Sequence, residues 1–222
     1  MPSEDTYRLQ HMHAIDPPEK AWKQFAPLFD LTPLKMANNA GAIENHSWFA
    51  GPCIYAQVSL DGNAHKHTDQ HLSQSGDLLF VHRYLAGGAD GRSGELPYMM
   101  RPGRMIFHDY GRPFEGIQTP SLIQSVHIPH RLIGYDPDTM PPQIMLDPAS
   151  AQGAALAGAF EALMRDLLGG LERLQKDRAS ALTALVRDAL PEPGAAPSLQ
   201  MQIQSYIEDE LVDPDFTLDR VL

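Results

Sequence analysis

Cysteine is almost missing from this chain of 222 residues, with Cys53 its single representative. One thiol excludes an internal disulfide, a thiolate-rich zinc site and a Cys-ligated iron–sulfur cluster, and it fits a reducing compartment, so the expected location is cytoplasmic. Long apolar runs are missing too. None approaches the ~18 residues that a membrane-spanning helix needs, and no membrane partner is expected. The opening Met1-Pro2-Ser3-Glu4-Asp5 lacks the basic and apolar regions of a secretory leader. Positive charge is scarce: 17 Lys and Arg stand against 28 Asp and Glu, a net charge of −11 with histidine neutral. So acidic a chain repels phosphate backbones on average and cannot hold DNA by bulk electrostatics. No G-x-S-x-G, P-loop or G-x-G-x-x-G pattern occurs, and Cys53 has no adjacent base, so it reads as inert packing.

What is present is enough for a core: 43% of residues are hydrophobic and 20% charged, with ten histidines that call for a metal check. Asp16-Pro17-Pro18-Glu19 reads as a helix start, with Trp22, Phe25, Leu28 and Phe29 at helical intervals and Thr32-Pro33 as the stop. From Ile43 to Ile128 short strand-like runs take over. Ile54, Ala56, Val58 and Leu60 alternate with polar or aromatic neighbours, and Leu78–Leu85, Tyr98–Arg101, Met105–His108 and Leu122–Ile128 are β-rich between turn signals. This predicts a small antiparallel barrel or sandwich.

Beyond residue 146 the period becomes helical. Asp147-Pro148 is the expected N-cap, and Leu156, Phe160, Leu163, Met164, Leu167, Leu168, Leu171 and Leu174 form one stripe. Gly169-Gly170 predicts a bend or a tight connection, after which Leu182, Leu185, Val186 and Leu190 form a second stripe and Glu172 and Lys176 pair at i,i+4. Residues 191–198, with three prolines, read as a linker able to span roughly 25 Å. Ser198 can cap a last helix carrying Leu199, Ile203, Tyr206, Ile207 and Leu211, broken at Asp213-Pro214.

The segment from Gln200 to Leu222, with Ile207-Glu208-Asp209-Glu210-Leu211-Val212-Asp213-Pro214-Asp215-Phe216-Thr217, resembles the opening of the DNA-binding domain of AraC-type transcription regulators. Gly87-Gly88, Arg101-Pro102-Gly103-Arg104 through Asp109-Tyr110-Gly111-Arg112-Pro113, and Ser125-Val126-His127-Ile128-Pro129-His130 are similar to the sensor half of the same family. Arg104 stands where that family commonly has aspartate and His130 where it has arginine. The resemblance implies an α+β chain: a cupin-like antiparallel β-barrel, a helical hairpin and the first helix of a truncated helix-turn-helix domain. The division expected from it is an effector-binding domain over 1–146, a helical dimerisation segment over 147–190, a linker over 191–198 and the start of the DNA-binding domain over 199–222. It further implies a non-enzymatic sensor without a cofactor, a homodimer, and a small-molecule effector acting on DNA only through recognition helices beyond Leu222. The tail agrees, since Glu208, Asp209, Glu210, Asp213, Asp215 and Asp219 outweigh Arg220.

Three sets of residues are chemical candidates. Trp48, Phe80, His82, Tyr84, Met99, Phe107 and His127 lie on predicted strands and would line a barrel interior as effector ligands; half of them are expected to be plain core, because alternation does not say which face points inward. Their character suits a small organic acid or an aromatic compound. His65, His67 and His71, with His108 or His127, form the alternative, a zinc or iron site of a metal-dependent cupin oxygenase or isomerase; the plainer reading is a polar surface loop. Asp109 and Arg112 bracket a Tyr-Gly turn and read either as a ligand clamp or, preferably, as a pair that fixes the turn.

Overall fold

The computed structural model describes residues 5–17, 20, 23, 25–34 and 43–192. Fourteen strands and four helices are bounded among them. The strands are β1 (Thr6–Arg8), β2 (Gln10–Asp16), β3 (Asp30–Pro33), β4 (Ile43–Ala50), β5 (Cys53–Leu60), β6 (Asn63–His67), β7 (Leu78–Ala86), β8 (Ala89–Ser93), β9 (Leu96–Met100), β10 (Met105–Asp109), β11 (Phe114–Gln118), β12 (Ser121–Pro129), β13 (Gln143–Leu146) and β14 (Arg173–Gln175). The helices are α1 (Asp69–Ser75), α2 (His130–Ile133), α3 (Ala151–Leu168) and α4 (Lys176–Asp188). A seven-stranded sheet, ordered β13-β10-β7-β12-β5-β4-β2, faces a five-stranded sheet, ordered β3-β6-β11-β8-β9. Every pairing is antiparallel. The result is the α+β, cupin-like arrangement that the resemblance implied.

The central strands of the large sheet, β7, β10 and β12, are buried on both faces, which is why they read as apolar on both parities. Leu79, Val81, Val126, Ile128, Tyr55 and Phe107 face outward and pack against Leu156, Phe160, Leu163, Met164, Leu182 and Val186 of the two long helices. The alternate residues point toward the small sheet. Cys53 belongs to the helix-facing core; burial pushes its thiol up to about 11, so it stays a packing group.

Several local expectations change. Thr32 and Pro33 do not stop a helix but lie in β3, paired with β6, although Lys20, Lys23 and Phe25 are helical; Trp22 lies outside the described residues. β1 and β2 precede the region that alternation picked out, because the sequence of β2, Gln-His-Met-His-Ala-Ile-Asp, carries histidine where an apolar periodicity would be read. α3 is capped by Ser150, whose hydroxyl accepts from the Gly153 N–H, rather than by Asp147, which instead accepts from the Ala149 N–H in the preceding turn. Gly169 and Gly170 close α3, the latter at φ +90°, a left-handed conformation that an L side chain resists. Leu174 is buried on β14 rather than on a helix, and β14 separates Glu172 from the helix that Lys176 starts, so the two share no helical face. The helix and caps expected between 198 and 222 lie outside the described residues.

Candidate functional site

Between the two sheets lies a cavity of about 330 Å³. Both sheets supply its wall, and so does the segment before β3, which contributes Phe25, Pro27, Leu28 and Phe29. Phe29 packs edge-on against His65, His67, Tyr110 and Phe114, an arrangement that places ring edges on ring faces. On the small sheet, Tyr98 lies across a glycine bed. A Cβ at Gly91 would meet the Tyr98 ring at 2.6 Å, and one at Gly116 would meet the Tyr98 hydroxyl at 2.6 Å and His65 Nε2 at 2.9 Å. These two glycines are cross-strand partners, so the bare backbone lets the phenol reach His65 Nε2 at 2.9 Å.

Among the described residues no Asp, Glu, Lys or Arg lines the cavity. Its polar groups are imidazoles, phenols, amides and the hydroxyls of Ser47 and Ser125, and burial favours the uncharged form of those that titrate. Desolvation lowers His65 to about 4 and His127 to about 4. Desolvation, then the neighbouring His65 and His67, lowers His108 to about 3. His82 is also pushed well below its ordinary value, by burial first and then by His108, His65 and His127. Burial drives the phenols of Tyr84, Tyr98 and Tyr110 upward. Several of these groups still lack a protein partner: Nδ1 of His65, His82 and His108, the Tyr110 hydroxyl and Nε2 of Gln118 are buried without one. Buried polar atoms are almost always satisfied, so this set is what a ligand or ordered water in the cavity would meet.

The AraC-binding-like domain family model matches residues 19–191. The chain belongs to that family. Its fold is also that of the AraC-like transcriptional activator CuxR, at 18% identity and a TM-score of 0.68, over 94% of this chain and 81% of CuxR. AerE from Microcystis aeruginosa (11% identity, TM-score 0.34, 55% of each chain) and protein Ylba from E. coli (12%, TM-score 0.35, 56% of this chain and 54% of that one) are too distant to carry an argument. Among curated proteins there is no match.

In this AraC-binding-like domain, the residues expected to line the interior divide by strand parity. Phe80, His82, Tyr84 and His127 line the cavity. Trp48, Met99 and Phe107 do not. Trp48 and Phe107 point the other way, into the core under the helices, because Asn45, Ser47 and Phe49 on β4 and His108 on β10 take the inward positions. Met99 is displaced in the same manner by its buried neighbours Tyr98 and Met100. Tyr98, Tyr110, Phe114, Gln118, Asn45, Ser47 and Ser125 complete the polar and aromatic wall and were not anticipated. The lone glycines at 91 and 116, in otherwise strand-like stretches, were the available signal for a close approach at Tyr98.

The three histidines of the His-x-His-x3-His motif do not converge. His65 faces the cavity and Tyr98. His67 is fully buried, with Nδ1 at 2.7 Å from the Leu28 carbonyl and Nε2 at 2.8 Å from the Tyr110 carbonyl, so neither nitrogen is offered to a metal. His71 spends Nδ1 on the Thr68 N–H in a capping box at the start of α1. Asp109 and Arg112 do fix a turn. Asp109 is fully buried; its carboxylate accepts from the Gly111 N–H at 2.7 Å and faces His130 Nε2 at 3.2 Å and Arg112 Nε at 3.4 Å. His130, standing where the family's arginine is usual, thus faces the same carboxylate. Among the described residues no helix is long and apolar enough to cross a membrane.

Proposed function

We propose that this chain is the effector-sensing and dimerisation portion of an AraC-type transcription regulator, without enzymatic activity, and that it responds to an uncharged, partly aromatic small molecule held between the two sheets. The observation that carries this reading is an aromatic, imidazole-rich cavity, with no charged wall residue among the described residues, inside an AraC-binding-like domain. The ring faces of Phe29, Phe80, Tyr110 and Phe114 suit a planar ligand, and the unpartnered atoms of His82, His108 and Gln118 suit its hydroxyl, amide or carbonyl groups. Among the described residues no cation faces the cavity to meet a carboxylate, which favours a neutral ligand over an organic acid.

Mechanistically the effector shifts a population. It favours one arrangement of the barrel and its attached helices, and only its differential affinity for two arrangements can move the equilibrium. The helical segment 147–190 pairs two copies, the linker 191–198 relays the change, and residues 199–222 open the DNA-binding half. In such a regulator DNA contact is made by the recognition helices of that half.

A thermal-shift screen of purified chain tests the ligand class. Matched pairs of phenols or aryl amides and aryl carboxylates are compared at equal concentration. A neutral member raises Tm, its carboxylate partner binds about 100-fold more weakly or worse because the buried charge is uncompensated, and Ser125→Phe, which fills the cavity from β12, removes the shift. Tighter binding of the carboxylates, or a shift indifferent to Ser125→Phe, would refute the assignment.

A further inference from the structure

On the outer face of the large sheet, β2 and β4 bring together a cluster that the sensing role does not use. The antiparallel register sets His13 directly opposite His46 and His11 opposite Trp48. Because alternate residues share a face, His11 and His13 of β2 stand beside Glu44, His46 and Trp48 of β4. His13 Nε2 lies 3.1 Å and His46 Nε2 3.0 Å from the same oxygen, Glu44 Oε1. The rings stack in a column: His13 on His46 with centroids 3.9 Å apart, and His11 on Trp48 at 4.8 Å. We infer that His13, Glu44 and His46 form a site for a divalent transition-metal ion of the zinc type, with His11 as the residue that orients His46.

Three donor atoms, two imidazole nitrogens and one carboxylate oxygen, lie within 4.8 Å of one another. A tetrahedral ion with ligands at about 2.0–2.1 Å separates its donors by about 3.3 Å, close to the spacings found here, and the set leaves a fourth position for water. Nitrogen and carboxylate donors suit zinc and its first-row neighbours and disfavour calcium or magnesium, which take oxygen.

The outer partners also fit. His46 Nδ1 lies 3.3 Å from His11 Nε2. When an ion replaces the proton at His46 Nε2, the ring becomes its Nδ1–H tautomer and donates to His11, which fixes the orientation of the ligating nitrogen. The ion reaches the cluster from solvent, since His13 and Glu44 are about half exposed, and His11 and His46 border a surface groove beside the end of α3. Occupancy would clamp β2, the edge strand of its sheet, onto β4. The residues alternating with the ligands, Met12, Asn45 and Ser47, line the effector cavity, so the clamp stiffens one of its walls.

Titration of chelator-treated full chain with Zn²⁺ alone tests this. The expected result is one ion per chain with a Kd of about 1 µM or tighter. Glu44→Gln and His13→Asn, at partly exposed positions where the metal-free chain keeps its fold, each weaken it at least about 30-fold, and His11→Phe weakens it about 10-fold. His65→Ala, in the cavity, leaves it unchanged. Co²⁺ in place of Zn²⁺ gives the visible bands of a four-coordinate ion in wild type and loses them in Glu44→Gln. Binding only at roughly millimolar Zn²⁺, or tight binding that survives both Glu44→Gln and His13→Asn, overturns the site while leaving the sensing proposal untouched.

Discussion

Acidification from about pH 7 to about pH 5 removes about 2 kcal/mol of folding stability for each histidine that the cavity holds neutral, and the effect accumulates over several of them. The sign follows from the direction of the shifts. His65 and His127 titrate near 4 and His108 near 3 in the fold, against 6.5 when solvated. Below about pH 6.5 the unfolded chain therefore binds protons that the folded chain refuses, and stability falls until the pH passes the folded values. His82, lowered in the same direction, adds to the slope. Since small domains hold only about 5–15 kcal/mol in all, unfolding or opening of the cavity is expected before pH 4.5 is reached.

The carboxylates act in a different window. Glu44 and Glu115 have lowered pKa values, through hydrogen bonds from His46 and His13 in one case and from Arg92 and Lys66 in the other, so their contribution is present above 4.5 and lost only below it. Urea unfolding measured at half-unit pH steps separates the two. The slope between about pH 6.5 and 5 belongs to the histidines and flattens in a His65→Gln, His108→Gln, His127→Gln variant, whatever that variant's absolute stability. A stability curve flat over that interval in wild type would mean that the rings are hydrated and charged, and the argument for an uncharged effector would go with it.

The sequence discloses elements more readily than faces. Alternation marks β5, β7, β10 and β12 because both parities of each strand are filled, one against α3 and α4 and the other against the cavity. For the same reason it cannot separate Phe80, His82, Tyr84 and His127 from Trp48 and Phe107: an aromatic suits either side, and the choice follows from registers fixed by partners far along the chain. Met99 fails for a simpler reason, a shift of one residue on a short strand. The N-terminal strands were invisible because β2 is an edge strand whose outer face carries His11 and His13 rather than apolar residues. Those histidines acquire meaning only beside Glu44 and His46, more than thirty positions away. The His65 motif misled in the opposite way. Its spacing is that of a ligand set, but a helix cap claims His71 and two backbone carbonyls claim His67.

Replacing Asp109 by alanine is expected to cost about 3–5 kcal/mol, the range for removing one partner of a buried charged network. The carboxylate is fully buried where β10 ends, and three groups lean on it: the Gly111 N–H, His130 at the start of α2, and Arg112. Alanine leaves His130 facing a hole and the turn without its acceptor, whereas Arg112→Ala should cost under about 1 kcal/mol, because that side chain is 36% exposed and water replaces its partner. Asp109→Asn isolates the charge: the acceptor for Gly111 survives, and the remaining loss, measured with and without His130→Ala, gives the coupling between the two residues. His130→Arg should keep most of the stability, since a guanidinium can meet the same carboxylate from the same place. A ligand clamp would behave otherwise. It would let Asp109→Ala fold normally and lose only effector binding, so an unchanged melting temperature in that variant would return Asp109 and Arg112 to the effector site.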